Sequence, residues 1–211
     1  MDAATSLEFD MKRLQLLVLA LLPCMALAEL QVVVIEGLGG EERYTEQFAA
    51  QVEAIENAAG ALTSDSRIQL FRNGRYSRDD VVEFFAGLDG RLQSDDRLAV
   101  FLIGHGSFDD HEYKFNISGP DITGDDLKSM LDGVSGSSQL VVNTSSSSGA
   151  ILATLEGDDR TLILATKSGV ERHATRFGNY FVAALTSDSA DTDKNRIVTA
   201  AEAFQFAERQ V

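Results

Sequence analysis

Tryptophan is absent from this 211-residue sequence, proline occurs twice and cysteine once, at Cys24. A single thiol excludes a disulfide framework and any cysteine-rich metal cluster. Basic residues are also scarce. There are 18 Lys and Arg against 33 Asp and Glu, so the formal net charge is −15. That balance repels phosphate backbones, and no basic patch offsets it, which argues against nucleic acid as a partner. What is present is ordinary for a globular chain, with 44% hydrophobic and 24% charged residues. This composition excludes a disordered chain, a collagen and a polytopic membrane protein.

The N-terminal segment reads as an address. In residues 11–28, MKRLQLLVLALLPCMALA, Lys12 and Arg13 precede the apolar run Leu14 to Leu22, and Ala26-Leu27-Ala28 forms a small-residue cleavage site. This is the pattern of a secretory signal peptide, with an apolar stretch too short to span a bilayer. The alternative is an uncleaved anchor helix. The acidic residues before Met11 break the usual order, which points to translation starting at Met11. Cleavage after Ala28 leaves a chain of net charge −14 with no thiol, because Cys24 goes with the leader. The expected product is secreted or periplasmic and has no membrane segment after cleavage; its oligomeric state is not legible.

Beyond the leader, strand and helix signals alternate. The apolar runs Leu30–Ile35, Leu98–Ile103 and Thr161–Thr166 suit buried strands, Ile68–Phe71 and Gln139–Asn143 read as further strands, and Lys114–Ser118 as a short excursion strand. Helical periods run through Arg43–Ala58, the segment after Ser77, the segment after Thr123, Gly149–Leu155, Phe177–Leu185 and Ala200–Ala207. Ser77 is placed to cap its helix, and Thr123 with Asp126 forms a capping box. No linker or internal repeat interrupts residues 29–211. The expectation is one α/β domain, a three-layer sandwich with a mostly parallel sheet. In such folds, function gathers on the loops at the C-terminal ends of strands, here 36–42, 72–77, 104–113, 143–149 and 166–176.

Loop 36–42 contains Gly37, Gly39 and Gly40 but lacks the third glycine of a dinucleotide fingerprint, where Glu42 stands instead. A carboxylate there repels a pyrophosphate, so the loop reads as a tight turn. Gly104-His105-Gly106 leaves a strand end with an imidazole between two glycines, a setting for a general base or proton donor. His111 and His173 lack that setting and read as surface residues. The turn Asn143-Thr144-Ser145-Ser146-Ser147-Ser148-Gly149 joins a buried strand to a helix. Such a turn can present a nucleophile beside backbone N–H groups that hold an oxyanion. Lys167, Arg172 and Arg176 follow the last strand and are placed to attract acidic partners or to balance nearby carboxylates.

A hydrophobic strand ending in His105-Gly106, then a strand ending in a small polar turn before Ser148-Gly149, resembles the caspase-like and legumain-like peptidases. Ala165-Thr166 at the next strand end and the stretch Ser168 to Phe177 extend the resemblance, toward a bacterial branch of the group, over about Val32 to Ala207. The resemblance implies a caspase-like fold and a histidine–cysteine catalytic pair. His105 matches the histidine; the cysteine position falls on Ser146, or on Ser145 when counted from the strand end. A thiol is partly ionised near neutral pH and an alcohol is not. The expectation is therefore a degenerate pseudo-peptidase that binds or scaffolds a peptide or protein partner. The alternative is a serine-based hydrolase using His105 with Ser145 or Ser146.

A separate motif lies near the C-terminus. In residues 191–202, Asp191, Asp193, Asn195, Thr199 and Glu202 supply side-chain oxygens at positions 1, 3, 5, 9 and 12, and Ile197 would supply a carbonyl at position 7. That is the ligand spacing of an EF-hand calcium loop. Position 6, normally glycine, is Arg196, which in left-handed geometry costs about 1 kcal/mol or more. The competing reading is an acidic turn with Glu202 in the first turn of a helix. The loop offers a further reading, a calcium-dependent interaction module; no other cofactor is implied.

Overall fold

The computed structural model describes residues 28–134 and 137–211. The expected leader, up to residue 27, lies outside them. A five-stranded sheet runs β2-β1-β3-β7-β8, and every pairing in it is parallel. Its strands are β1 (Leu30–Glu36), β2 (Ile68–Phe71), β3 (Arg97–Ile103), β7 (Ser138–Asn143) and β8 (Arg160–Leu164). Alternating residues of the central strands feed two separate cores. Val33, Ile35, Val100, Leu102 and Val141 face one side; Val32, Val34, Ala99, Phe101 and Val142 face the other. Burial on both faces explains why the central strands read as apolar runs, and each buried Val, Ile, Leu or Phe there contributes roughly 1.5–3 kcal/mol.

Helices α1 (Glu42–Gly60), α5 (Phe177–Ala184) and α6 (Ala200–Gln210) cover the second face, through Phe48, Val52, Ile55, Phe181, Ala203 and Ala207. The first face is covered by α2 (Arg78–Ala86), α3 (Gly124–Asp132) and α4 (Leu152–Leu155), through Val81, Phe85, Leu127, Leu131 and Leu155. The result is the three-layer α/β sandwich expected from the alternation. Ser77 and Thr123 cap α2 and α3 with reciprocal boxes to Asp80 and Asp126. Thr199 caps α6 in the same way with Glu202.

The excursion after β3 is larger than the sequence foretold. Strands β4 (Gly106–Phe108), β5 (Tyr113–Phe115) and β6 (Ile122–Thr123) form an antiparallel sheet, β4-β5-β6, beside the serine turn. Its strands have two or three residues each, too few to show a period. What anchors it is burial of Tyr113, Phe115, Ile117 and Ile122 in the first core.

Candidate functional site

All five anticipated loops meet at the C-terminal end of the sheet. The Gly37 N–H donates to the Ile103 carbonyl (2.8 Å) and the Leu38 N–H to the Asn116 carbonyl (2.9 Å), which ties loop 36–42 to the strand end that bears His105. The Tyr76 hydroxyl donates to the Glu36 carbonyl, bringing in loop 72–77. The two strand ends can touch because neither carries a side chain. A Cβ on Gly104 would lie 2.9 Å from the Gly37 Cα and 2.9 Å from the Phe115 ring.

His105 projects from this junction toward α1. Its Nε2 lies 3.2 Å from the Gly39 carbonyl oxygen. A carbonyl only accepts, so Nε2 carries the proton. Tyr44 and Phe48 pack edge-on against the ring, with centroids 4.8 and 5.1 Å away. No hydroxyl of the serine turn is hydrogen-bonded to the imidazole among the described residues. The cleft beside it is lined by Thr144, Thr175 and Gly178 and has a volume of only about 10 Å³. That is room for one water molecule and not for a peptide side chain.

The serines point into the protein instead, each at most 2% exposed. Asn143 Nδ2 donates to the Tyr113 hydroxyl (2.8 Å), which lies 2.6 Å from Ser145 Oγ, and Ser145 Oγ donates in turn to the Ser146 carbonyl (3.1 Å). Donor counting gives this chain one direction: the Tyr113 hydroxyl donates to Ser145 Oγ, and Ser145 Oγ donates to a backbone carbonyl. Burial pushes the Tyr113 phenol up to about 12, against the opposing pull of its hydrogen bonds to Ser145 and Asn143. Ser146 Oγ donates to the Gly106 carbonyl (3.1 Å). Ser148 Oγ accepts from the Thr166 N–H (3.1 Å) and lies 3.3 Å from Thr166 Oγ1. A carbonyl oxygen takes a hydrogen bond but not a proton, so none of these contacts activates an alcohol.

Four backbone N–H groups of the turn are likewise committed. The Ser145 N–H goes to Asn143 Oδ1, the Ser147 N–H to the Glu171 carbonyl, the Gly149 N–H to Thr166 Oγ1 and the Ala150 N–H to the Ser147 carbonyl. Ser147 turns the chain in left-handed geometry (φ 57°) at the entrance to a 3₁₀ turn, Ser148–Ile151, that leads into α4. Its buried Oγ has no hydrogen-bond partner among the described residues.

The structure thus brings His105, Ser145 and Ser146 to one end of the sheet but couples neither serine to the histidine. Sequence reasoning missed Tyr113, Asn143 and Thr175. Thr175 Oγ1 donates to the Thr144 carbonyl (2.5 Å) and closes loop 166–176 over the turn. The signal for Asn143 was available, as a polar residue ending an apolar strand. Tyr113 carries no motif and acquires its role only through β5. His111 and His173 are exposed, as expected. Of the basic trio, Arg172 pairs with Asp110 and Arg176 lies against the Tyr180 ring; all three are exposed.

The acidic loop closes on itself between α5 and α6. Asp191 accepts from the Asn195 and Arg196 N–H groups (3.1 and 2.7 Å), Asp193 accepts from the Asn195 N–H (3.0 Å), and Asn195 Oδ1 accepts from the Ile197 N–H (2.8 Å). Lys194 and Arg196 take left-handed φ values of 60° and 70°, so position 6 adopts the turn for which glycine is normally selected. Oxygens of Asp191, Asp193 and Glu202 lie within 4.8 Å of one another. Glu202 accepts from the backbone and hydroxyl of both Thr199 and Thr192. These bonds, with that from the Thr199 N–H strongest, hold its carboxyl down at about 2.

No family model and no curated protein matches this chain. Among solved structures it is similar to a Geobacter sulfurreducens protein determined as a structural-genomics target. Identity is 12% and the TM-score 0.43, over 80% of this chain and 67% of that one.

Proposed function

We propose that this chain is a non-catalytic relative of the caspase-like and legumain-like peptidases, secreted or periplasmic, that acts by binding or scaffolding a peptide or protein partner. The observation that carries this reading is the direction of the hydrogen bonds. Ser145 and Ser146 donate to backbone carbonyls, the Nε2–H of His105 faces the Gly39 carbonyl, and neither serine is hydrogen-bonded to the ring. A nucleophilic serine needs its proton aimed at a base. The adjoining cleft of about 10 Å³ gives no substrate side chain a place to sit, so a partner is engaged by the rim loops. Lys167, Arg172 and Arg176 there favour acidic partners. A fluorophosphonate probe is expected to leave the protein unlabelled, and a mixed peptide library to remain uncleaved. Labelling of Ser145 or Ser146 that His105→Ala abolishes would establish the hydrolase alternative.

A second reading, a calcium-dependent interaction module, is favoured by the gathering of Asp191, Asp193 and Glu202. Asp191, Asp193, Asn195, the Ile197 carbonyl, Thr199 and Glu202 would hold the ion, at the weak affinity that extracellular sites can use. Millimolar calcium is then expected to raise the melting temperature, and Asp191→Ala to remove the rise. An unchanged melting temperature counts against the site.

A further inference from the structure

At the opposite end of the sheet, where the strands begin, lies a groove with a volume of about 520 Å³. Val32, Ala99, Phe101 and Leu140 of β1, β3 and β7 form its floor, and Ile55 of α1 and Phe181 of α5 stand at its sides. α1 and the α5–α6 pair flank it, and they meet farther along, where Gln51 Nε2 donates to Asn179 Oδ1 (2.6 Å). Its size falls within the roughly 300–1,000 Å³ of small-molecule sites, and its walls are of the apolar kind those sites use.

One lining residue is charged. Arg97, at the first position of β3, stands exposed at the rim. Its guanidinium has no ion pair and no side-chain hydrogen bond among the described residues, in a chain with almost twice as many acids as bases. The other polar groups of the lining, including Ser138, Gln139, Thr161 and Thr199, are neutral. An apolar trough with one unpaired fork of N–H donors at its mouth matches a ligand with a long apolar body and one anionic head. A carboxylate suits the guanidinium best, since it accepts two parallel N–H bonds.

We propose that this groove binds a long-chain alkyl carboxylate, with its hydrocarbon on the floor between α1 and α5 and its head on Arg97. The site is independent of the His105 end of the sheet, and the reading of the serine turn has no bearing on it.

The test is a titration of the full chain with a fluorescent fatty acid, competed by unlabelled palmitate and by the uncharged alcohol of the same length. Saturable one-to-one binding is expected, with palmitate displacing the probe at least about tenfold better than the alcohol, the effect of a hydrogen bond to a charged group. Arg97→Gln is expected to erase that preference. Leu62→Glu, on a rim side chain that is 65% exposed and therefore safe for folding, is expected to weaken the carboxylate more than the alcohol. Circular dichroism of both variants confirms that the fold is kept. Equal affinity for acid and alcohol, or a preference that survives Arg97→Gln, overturns the proposal. No saturable probe binding with or without residues 1–28, or a dimer in sedimentation that Leu62→Glu dissolves, also overturns it.

Discussion

Tyr113 holds the serine turn shut. Its hydroxyl is the partner of both Asn143 Nδ2 and Ser145 Oγ, in a fully buried position. Tyr113→Phe would leave the Asn143 amide and the Ser145 hydroxyl short of a partner. The expected loss is about 1–3 kcal/mol in chemical denaturation, the usual cost of a buried unsatisfied polar group. Fluorophosphonate labelling of Tyr113→Phe is expected to stay absent, because freeing Ser145 does not bring it a base. Ser147 presents the opposite case. It combines left-handed backbone with a buried hydroxyl that lacks a partner among the described residues. Ser147→Gly relieves both, against the greater chain entropy of glycine, and is expected to raise stability by about 1 kcal/mol. A variant less stable than the parent would show that the hydroxyl makes a contribution the geometry does not reveal.

Among the elements, the capping boxes show what a sequence can disclose. Ser77–Asp80 and Thr123–Asp126 were legible because a cap is a local event between residues three apart. Thr199–Glu202 has the same spacing, yet its oxygens also fit an ion-binding register, and the two readings share atoms. Strands β1 and β3 were legible because burial on both faces leaves a long apolar run, while β2, β7 and β8 showed through shorter apolar stretches. Strands β4 and β6 were not, since their pairing depends on contacts made only after folding. The loops of the candidate site were legible by position, but the direction of their hydrogen bonds was not, because it depends on Tyr113 and Asn143 arriving from different strands.

Glu202 gives the α6 cap a pH signature. Its folded pKa, about 2, lies below the ordinary 4.5. Its contribution is therefore complete above pH 4.5 and is lost as pH falls from there toward 2. Glu202→Gln is expected to lower stability at neutral pH and to flatten the acid limb of the stability profile in that window. Gly106 joins β4 to the serine turn with no room to spare, since a Cβ there would meet Ser145 Oγ and the Ser146 carbonyl at 2.6 Å and the Tyr113 hydroxyl at 2.8 Å. Gly106→Ala is expected to cost about 2 kcal/mol, read from the denaturation midpoint, because it wedges the two loops apart.

For the molecule as a whole, a net charge of −15 is a self-repulsion that folding concentrates. The melting temperature is expected to rise by a few degrees as salt shortens the screening length from about 30 Å at 0.01 M to about 8 Å at 0.15 M. A flat response would mean that salt weakens ion pairs such as Arg72–Glu56 and Arg160–Asp132 as much as it screens the repulsion.

The sheet order places the reversal of chain winding between β1 and β3. Open α/β sheets commonly bind ligands in the crevice above that reversal. Here the bare backbones of Gly37 and Gly104 meet at that spot and zip the seam closed. A mouth sealed by two residues without side chains has no gate that a rotamer could swing aside, so admitting a guest there would require the strand ends themselves to part.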